Sequence, residues 1–131
     1  MSTLDRAGEA IAAELLRSDG DLAGIGIDYE PWRKDVDLRT SRFFLRPPEQ
    51  AHATDARGLL RLWTVKEALF KATPDNADAT LLAYEISDPA GASGCARGPR
   101  GEQIRYVSLD LDGGVLAVAA CLAAGSNRAA V

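Results

Sequence analysis

The sequence predicts an α+β domain, one antiparallel sheet packed on a long helix. Three observations predict it. Residues 22–30 alternate apolar and non-apolar side chains, as a strand does. Residues 55–72 carry apolar side chains at helical spacing. The last third reads as strands joined by a hairpin signal, Asp112-Gly113-Gly114.

Residues 4–18 read as an amphipathic helix with Leu4, Ala7, Ile11, Ala12 and Leu15 on its apolar stripe. Asp19-Gly20-Asp21 ends it. In the strand that follows, Ala23, Ile25, Ile27 and Tyr29 alternate with Gly24, Gly26, Asp28 and Glu30. The odd-numbered side is the apolar one and is expected to pack inward. The two carboxylates share the other side, and the glycines beside them leave room for something to lie against the backbone.

Pro31 to Asp35 read as a loop, and residues 37–45 as a helix that Pro47-Pro48 stops. Arg39, Arg42 and Arg46 are spaced to share a face of it. In the main helix Leu59, Leu62, Val65 or Lys66, Leu69 and Ala72 form the buried stripe, and Trp63, Glu67 and Lys71 share a neighbouring face. Thr54 or Asp55 caps its start, and Pro74 ends it by biasing Thr73 out of the helical region. Residues 80–87 read as a strand, 89–101 as a loop, 103–111 and 115–122 as strands, and 125–131 as a frayed tail. The expected organisation is one domain over 1–131, with an N-terminal helix within 1–21, a core at 22–124 and the tail at 125–131.

Of the 131 residues 47% are hydrophobic, enough for a real core. A net charge of −4 argues against general nucleic-acid binding. No apolar run approaches the ~20 residues that span a membrane. The start Met1-Ser2-Thr3-Leu4-Asp5 lacks the pattern of a signal peptide. Cys95 and Cys121 are the two cysteines and have no metal spacing, so a cytoplasmic, reduced protein is expected.

Asp28, Glu30 and Glu67 supply carboxylates, which a hard cation such as Mg²⁺ takes as one or two ligands beside substrate phosphate oxygens. Lys66 and Lys71 supply charge to neutralise phosphate. That is the equipment of phosphoryl-type transfer, where positioning and electrostatics do most of the catalysis. Taken alone, Asp28 and Glu30 are an ordinary solvated strand end, and Glu67 with Lys71 an ordinary surface i,i+4 pair. His52 reads as a plain surface residue.

Their joint order carries more. Gly26-Ile27-Asp28-x-Glu30, then Arg42-Phe43-Phe44, then Trp63-Thr64-Val65-Lys66-Glu67-Ala68-Leu69-Phe70-Lys71, resembles the 4′-phosphopantetheinyl transferase superfamily over roughly residues 22–73. The resemblance implies that fold, and transfer of the phosphopantetheine arm of coenzyme A, as substrate, to a serine of an apo acyl or peptidyl carrier protein. Mg²⁺, or Mn²⁺ in its place, is the implied metal and adenosine 3′,5′-bisphosphate the by-product. It implies Asp28 and Glu67 as metal ligands, with Glu30 as a third in the manner of the longer, two-halved members. It implies Lys66 and Lys71 as contacts to coenzyme A phosphates, with Lys71 protonating the departing bisphosphate.

In the longer type a glutamate shortly after the Arg-Phe-Phe run is the proposed general base. Here Pro48 falls at that spacing and Glu49 one residue later, so either Glu49 or a metal-bound water takes the role. Arg42 belongs to a basic face that would steer an acidic carrier protein. The chain has the size of the short type, holo-(acyl carrier protein) synthase, yet resembles only the second half of the long type. A homo-oligomer is therefore expected, a trimer rather than a dimer. Residues 72–76 replace the Gly-Lys-Gly-like loop that often follows the second lysine. The rival reading is a catalytically degenerate half-domain that binds coenzyme A or a carrier protein, or that needs a partner chain.

Overall fold

The computed structural model describes residues 21–123. The expected N-terminal helix and C-terminal tail lie outside them. Five strands form one antiparallel sheet: β1 (Leu22–Pro31), β2 (Glu85–Ile86), β3 (Ser93–Arg97), β4 (Gln103–Asp110) and β5 (Gly114–Leu122), in the order β1-β5-β4-β3-β2. A 17-residue helix, α2 (Ala56–Ala72), covers one face. It follows a single turn, α1 (Pro47–Gln50). The molecule is thus α+β, with its main core between α2 and the inner face of the sheet.

Local chemistry sets each boundary of α2. Asp55 is its N-cap, the Oδ1 accepting from the Gly58 amide at 2.8 Å. Thr73 is extended, and Asn76 Nδ2 donates to the Phe70 carbonyl at 2.8 Å, so the helix ends one residue past Lys71. Leu59, Leu62, Val65, Lys66, Leu69 and Ala72 are all buried, so the stripe includes both Val65 and Lys66.

Where β1 and β5 lie beneath α2, the inward side chains are mostly small. Gly26 pairs with Ala119 and Asp28 with Ala117. A Cβ on Gly26 would stand 2.1 Å from the Ala68 carbonyl oxygen, and one on Gly24 2.2 Å from that of Ala72. The helix backbone therefore rests directly on the strand.

This reverses the expected facing of β1. The even-numbered side packs inward, while Ile25 and Ile27 on the odd side are 39% and 45% exposed. Apolarity was a poor guide here because the covering element is helix backbone, which needs a gap more than a greasy surface. Leu116, Val118 and Ala120 form a second apolar cluster on the outer side, flanked by Tyr29 and Val107.

Other differences are local. Residues 37–45 contain a six-residue 3₁₀ helix (Leu38–Phe43). Pro47 and Pro48 open α1 rather than merely stopping the preceding element, because proline suits the first turn of a helix. The expected strand at 80–87 is a 3₁₀ turn (Leu81–Ala83) plus the two-residue β2. The Gly-rich 89–101 segment contains β3, whose Gly94 lies against the Tyr106 ring. No helix among the described residues is long and apolar enough to cross a membrane.

Candidate functional site

Strand β1 and the last two turns of α2 bring Asp28, Glu67 and Lys71 to one place. The contact of Gly26 with Ala68, one residue after Glu67, sets the spacing. Lys71 Nζ donates to Asp28 Oδ1 at 2.8 Å and approaches the Ile27 carbonyl at 3.4 Å. The Asp28 side chain is 11% exposed and that of Lys71 48%. The second oxygen, Asp28 Oδ2, is buried and has no hydrogen-bond partner.

The electrostatics of the carboxylates agree with that geometry. Burial raises the proton affinity of Asp28, Lys71 opposes it, and Glu30 adds to it. Burial also raises that of Glu67, followed by repulsion from Asp28, with Lys71 opposing and Glu30 adding. The three acids therefore sense one another. Glu30 is drawn aside by Arg33, whose Nη1 donates to Glu30 Oε1 at 3.1 Å. Among the described residues no three Asp, Glu, His or Cys side chains are gathered closely enough to hold a metal ion together.

Asp28 and Glu67 nevertheless fit a hard divalent cation. Mg²⁺ is commonly held by one or two carboxylates plus phosphate oxygens. The orphaned, buried Oδ2 is an acceptor that lacks a positive partner.

Lys66 and Glu49 go elsewhere. Lys66 is fully buried, with its Nζ 2.9 Å from Glu49 Oε1 and 3.3 Å from the Leu81 carbonyl, and also donating to the Tyr84 carbonyl. Glu49 is 1% exposed and accepts from the Arg46 amide at 2.7 Å and the Ile86 amide at 2.8 Å. Burial lowers the proton affinity of Lys66, and Glu49 opposes that change. The structure thus does not bring Lys66, expected at phosphate, or Glu49, expected as base, to the Asp28 cluster. Both groups form an enclosed ion pair that ties α2 to α1 and to β2.

The arginines do not present one face. Arg39 makes a bidentate pair with Asp37 at 3.0 Å, and Arg46 points to the Ala83 carbonyl and to Glu85. Arg42 is exposed and lies 5.0 Å from the centre of the Phe43 ring. His52 is exposed.

Sequence reasoning missed a cavity of about 460 Å³ between the 3₁₀ helix and α2, where Val36, Phe43, Phe44 and Trp63 are joined by the charged Arg33, Asp35 and Asp37. Trp63 lies one helical turn before Glu67, and Arg33 belongs to both this cavity and the Glu30 pair. The shared face of Trp63 and Glu67 was the available signal. A separate hollow of about 440 Å³ lies at the start of β1, beside Pro74, Arg100 and Cys121.

The family model described as "4'-phosphopantetheinyl transferase superfamily" matches residues 24–121, well over half of the chain. The comparison with curated proteins returned no match.

Proposed function

Because the chain belongs to the 4′-phosphopantetheinyl transferase superfamily, we propose that it moves the phosphopantetheine arm of coenzyme A to a serine of an apo acyl or peptidyl carrier protein, in the manner of a holo-(acyl carrier protein) synthase. The observation that carries this reading is the buried, unpartnered Asp28 Oδ2 beside Glu67 and within reach of Lys71.

In this reading Asp28 and Glu67 hold Mg²⁺ (or Mn²⁺), and Glu30 joins them once it leaves Arg33. When bound, the metal would neutralise pyrophosphate charge and orient it for in-line attack. The serine oxygen forms a bond to the β-phosphorus, and the bond from that phosphorus to the bridging oxygen breaks. Adenosine 3′,5′-bisphosphate departs. Lys71, half exposed on the last turn of α2, stabilises the charge that gathers on it and supplies it with a proton. The serine proton passes to water, because Glu49 is enclosed with Lys66. The cavity beside Trp63 offers Val36, Phe43, Phe44 and Trp63 as an apolar wall, with Arg33, Asp35 and Asp37 as polar groups, to the pantetheine arm or to the carrier surface, and Arg42 lies on the neighbouring 3₁₀ helix.

A homo-oligomer, a trimer rather than a dimer, completes the wall that coenzyme A needs. Ile25, Ile27 and Leu109, each more than a third exposed on the outer side of the sheet, support this. A cytoplasmic setting is consistent with the two free cysteines.

Intact-protein mass spectrometry tests the transfer. An apo carrier protein incubated with this chain, coenzyme A and Mg²⁺ should gain one phosphopantetheine arm, and EDTA should prevent it. No gain across several carriers, with coenzyme A still bound, would replace this reading with a binding module.

A further inference from the structure

We propose that Lys71 is an internal counter-ion that occupies the cation position at Asp28 until a divalent metal displaces it, and that this displacement frees the ammonium for phosphate. The proposal rests on the function proposed above. Asp28 is nearly enclosed, and one of its two oxygens is already without a partner. An isolated charge so placed is costly, and the ammonium 2.8 Å from Oδ1 is the group that offsets it.

A metal bound at the free Oδ2 would compete with this ammonium for the charge of the same carboxylate. Two cations sharing one carboxylate repel, and Lys71 is the one free to leave. Its side chain is half exposed, and among the described residues its other hydrogen bond, to the Ile27 carbonyl, is long at 3.4 Å. Lys66, five residues earlier on the same helix, is the contrast. It has three acceptors and no exposure, so it cannot exchange partners without unfolding its surroundings. Metal binding and release of the phosphate-binding lysine are thereby one coupled step, which links the order of metal and substrate.

Two measurements on the full chain test this, neither depending on turnover. The first is Mn²⁺ binding, followed by the loss of free-ion electron paramagnetic resonance signal. Lys71→Met should bind Mn²⁺ roughly 3- to 10-fold more tightly than the parent, because a competing cation is gone. Equal or weaker binding would overturn the proposal while leaving the transferase reading intact. No Mn²⁺ binding by either protein, with coenzyme A present to supply phosphate oxygens, would overturn both.

The second is reductive methylation mapped by peptide mass spectrometry. The sequence holds three lysines, so Lys34 (exposed) and Lys66 (buried) are internal standards. Labelling of Lys71 should rise several-fold when Mg²⁺ is added, with Lys34 and Lys66 unchanged. A Lys71 rate indifferent to Mg²⁺ would show that the ammonium was never displaced.

Discussion

Glu67 illustrates how a candidate site residue can work against its own fold. Its proton affinity is raised, so between its ordinary value of 4.5 and the raised one the folded state holds more protons than the unfolded state. Stability should therefore fall as pH rises through that window, and the deficit persists at neutral pH. Glu67→Gln removes it. In EDTA at pH 7 the variant should melt at a higher temperature than the parent, and the two should converge below pH 4.5, where the acid is protonated in both states. In the transfer assay the same variant should lose at least about 100-fold in rate. A variant as active as the parent would end the metal assignment. Glu49 should behave in the opposite way. Glu49→Ala leaves Lys66 buried without its carboxylate, and urea unfolding should register a loss of about 3–5 kcal/mol. Converting the pair to Glu49→Leu with Lys66→Met should recover most of it. A Glu49→Ala chain as stable as the parent would mean the pair contributes nothing to holding α2 in place.

At the scale of the element, β1 and α2 are a strand and a helix in backbone contact. Gly26→Ala puts a Cβ 2.1 Å from the Ala68 carbonyl oxygen, so one of the two must retreat. The expected cost is about 3 kcal/mol in unfolding free energy. Retreat also widens the gap between Asp28 and Glu67, and an ångström of misplacement costs about 100-fold in rate. Both are measured on one preparation, by urea titration and by carrier mass spectrometry. Parent-like values in both would show that the strand has room to spare. The sequence made these elements legible wherever local chemistry decides them. The cap at Asp55, the stop before Pro74 and the Asp112-Gly113-Gly114 hairpin all rest on residues within a few positions. What was not legible depends on distant partners. Nothing local to Gly24 and Gly26 says that the missing side chains receive a helix. Nothing beside Lys66 announces that Glu49, seventeen positions earlier, will meet it in the interior. The short β3 was hidden because its pairing with β4 outweighs the poor strand propensity of Ser93 and Gly94.

For the whole molecule, the two sides of the sheet have different fates. One is covered by α2, and the other carries Ile25, Ile27 and Leu109 at its surface. If copies of the chain assemble through that outer side, Ile27→Lys should lower the mass measured by light scattering to that of one chain, and transfer should fall with it. A mass unchanged by the substitution would move the contact to another surface. The family match spans 24–121, which takes in all but the outer ends of β1 and β5.

The strand that bears Asp28 pairs with β5, the last described strand, across some ninety residues of chain. β1 is made before β5 and waits for its hydrogen-bonding partner while α1, α2 and the strands between them are made. Until then Asp28 belongs to an unpaired segment, and no cation or phosphate has a rigid place to bind. A nascent chain halted before Gly114 should be inert toward coenzyme A however long it waits. The candidate site is thereby withheld from unfinished copies by the order in which the sheet is sewn together.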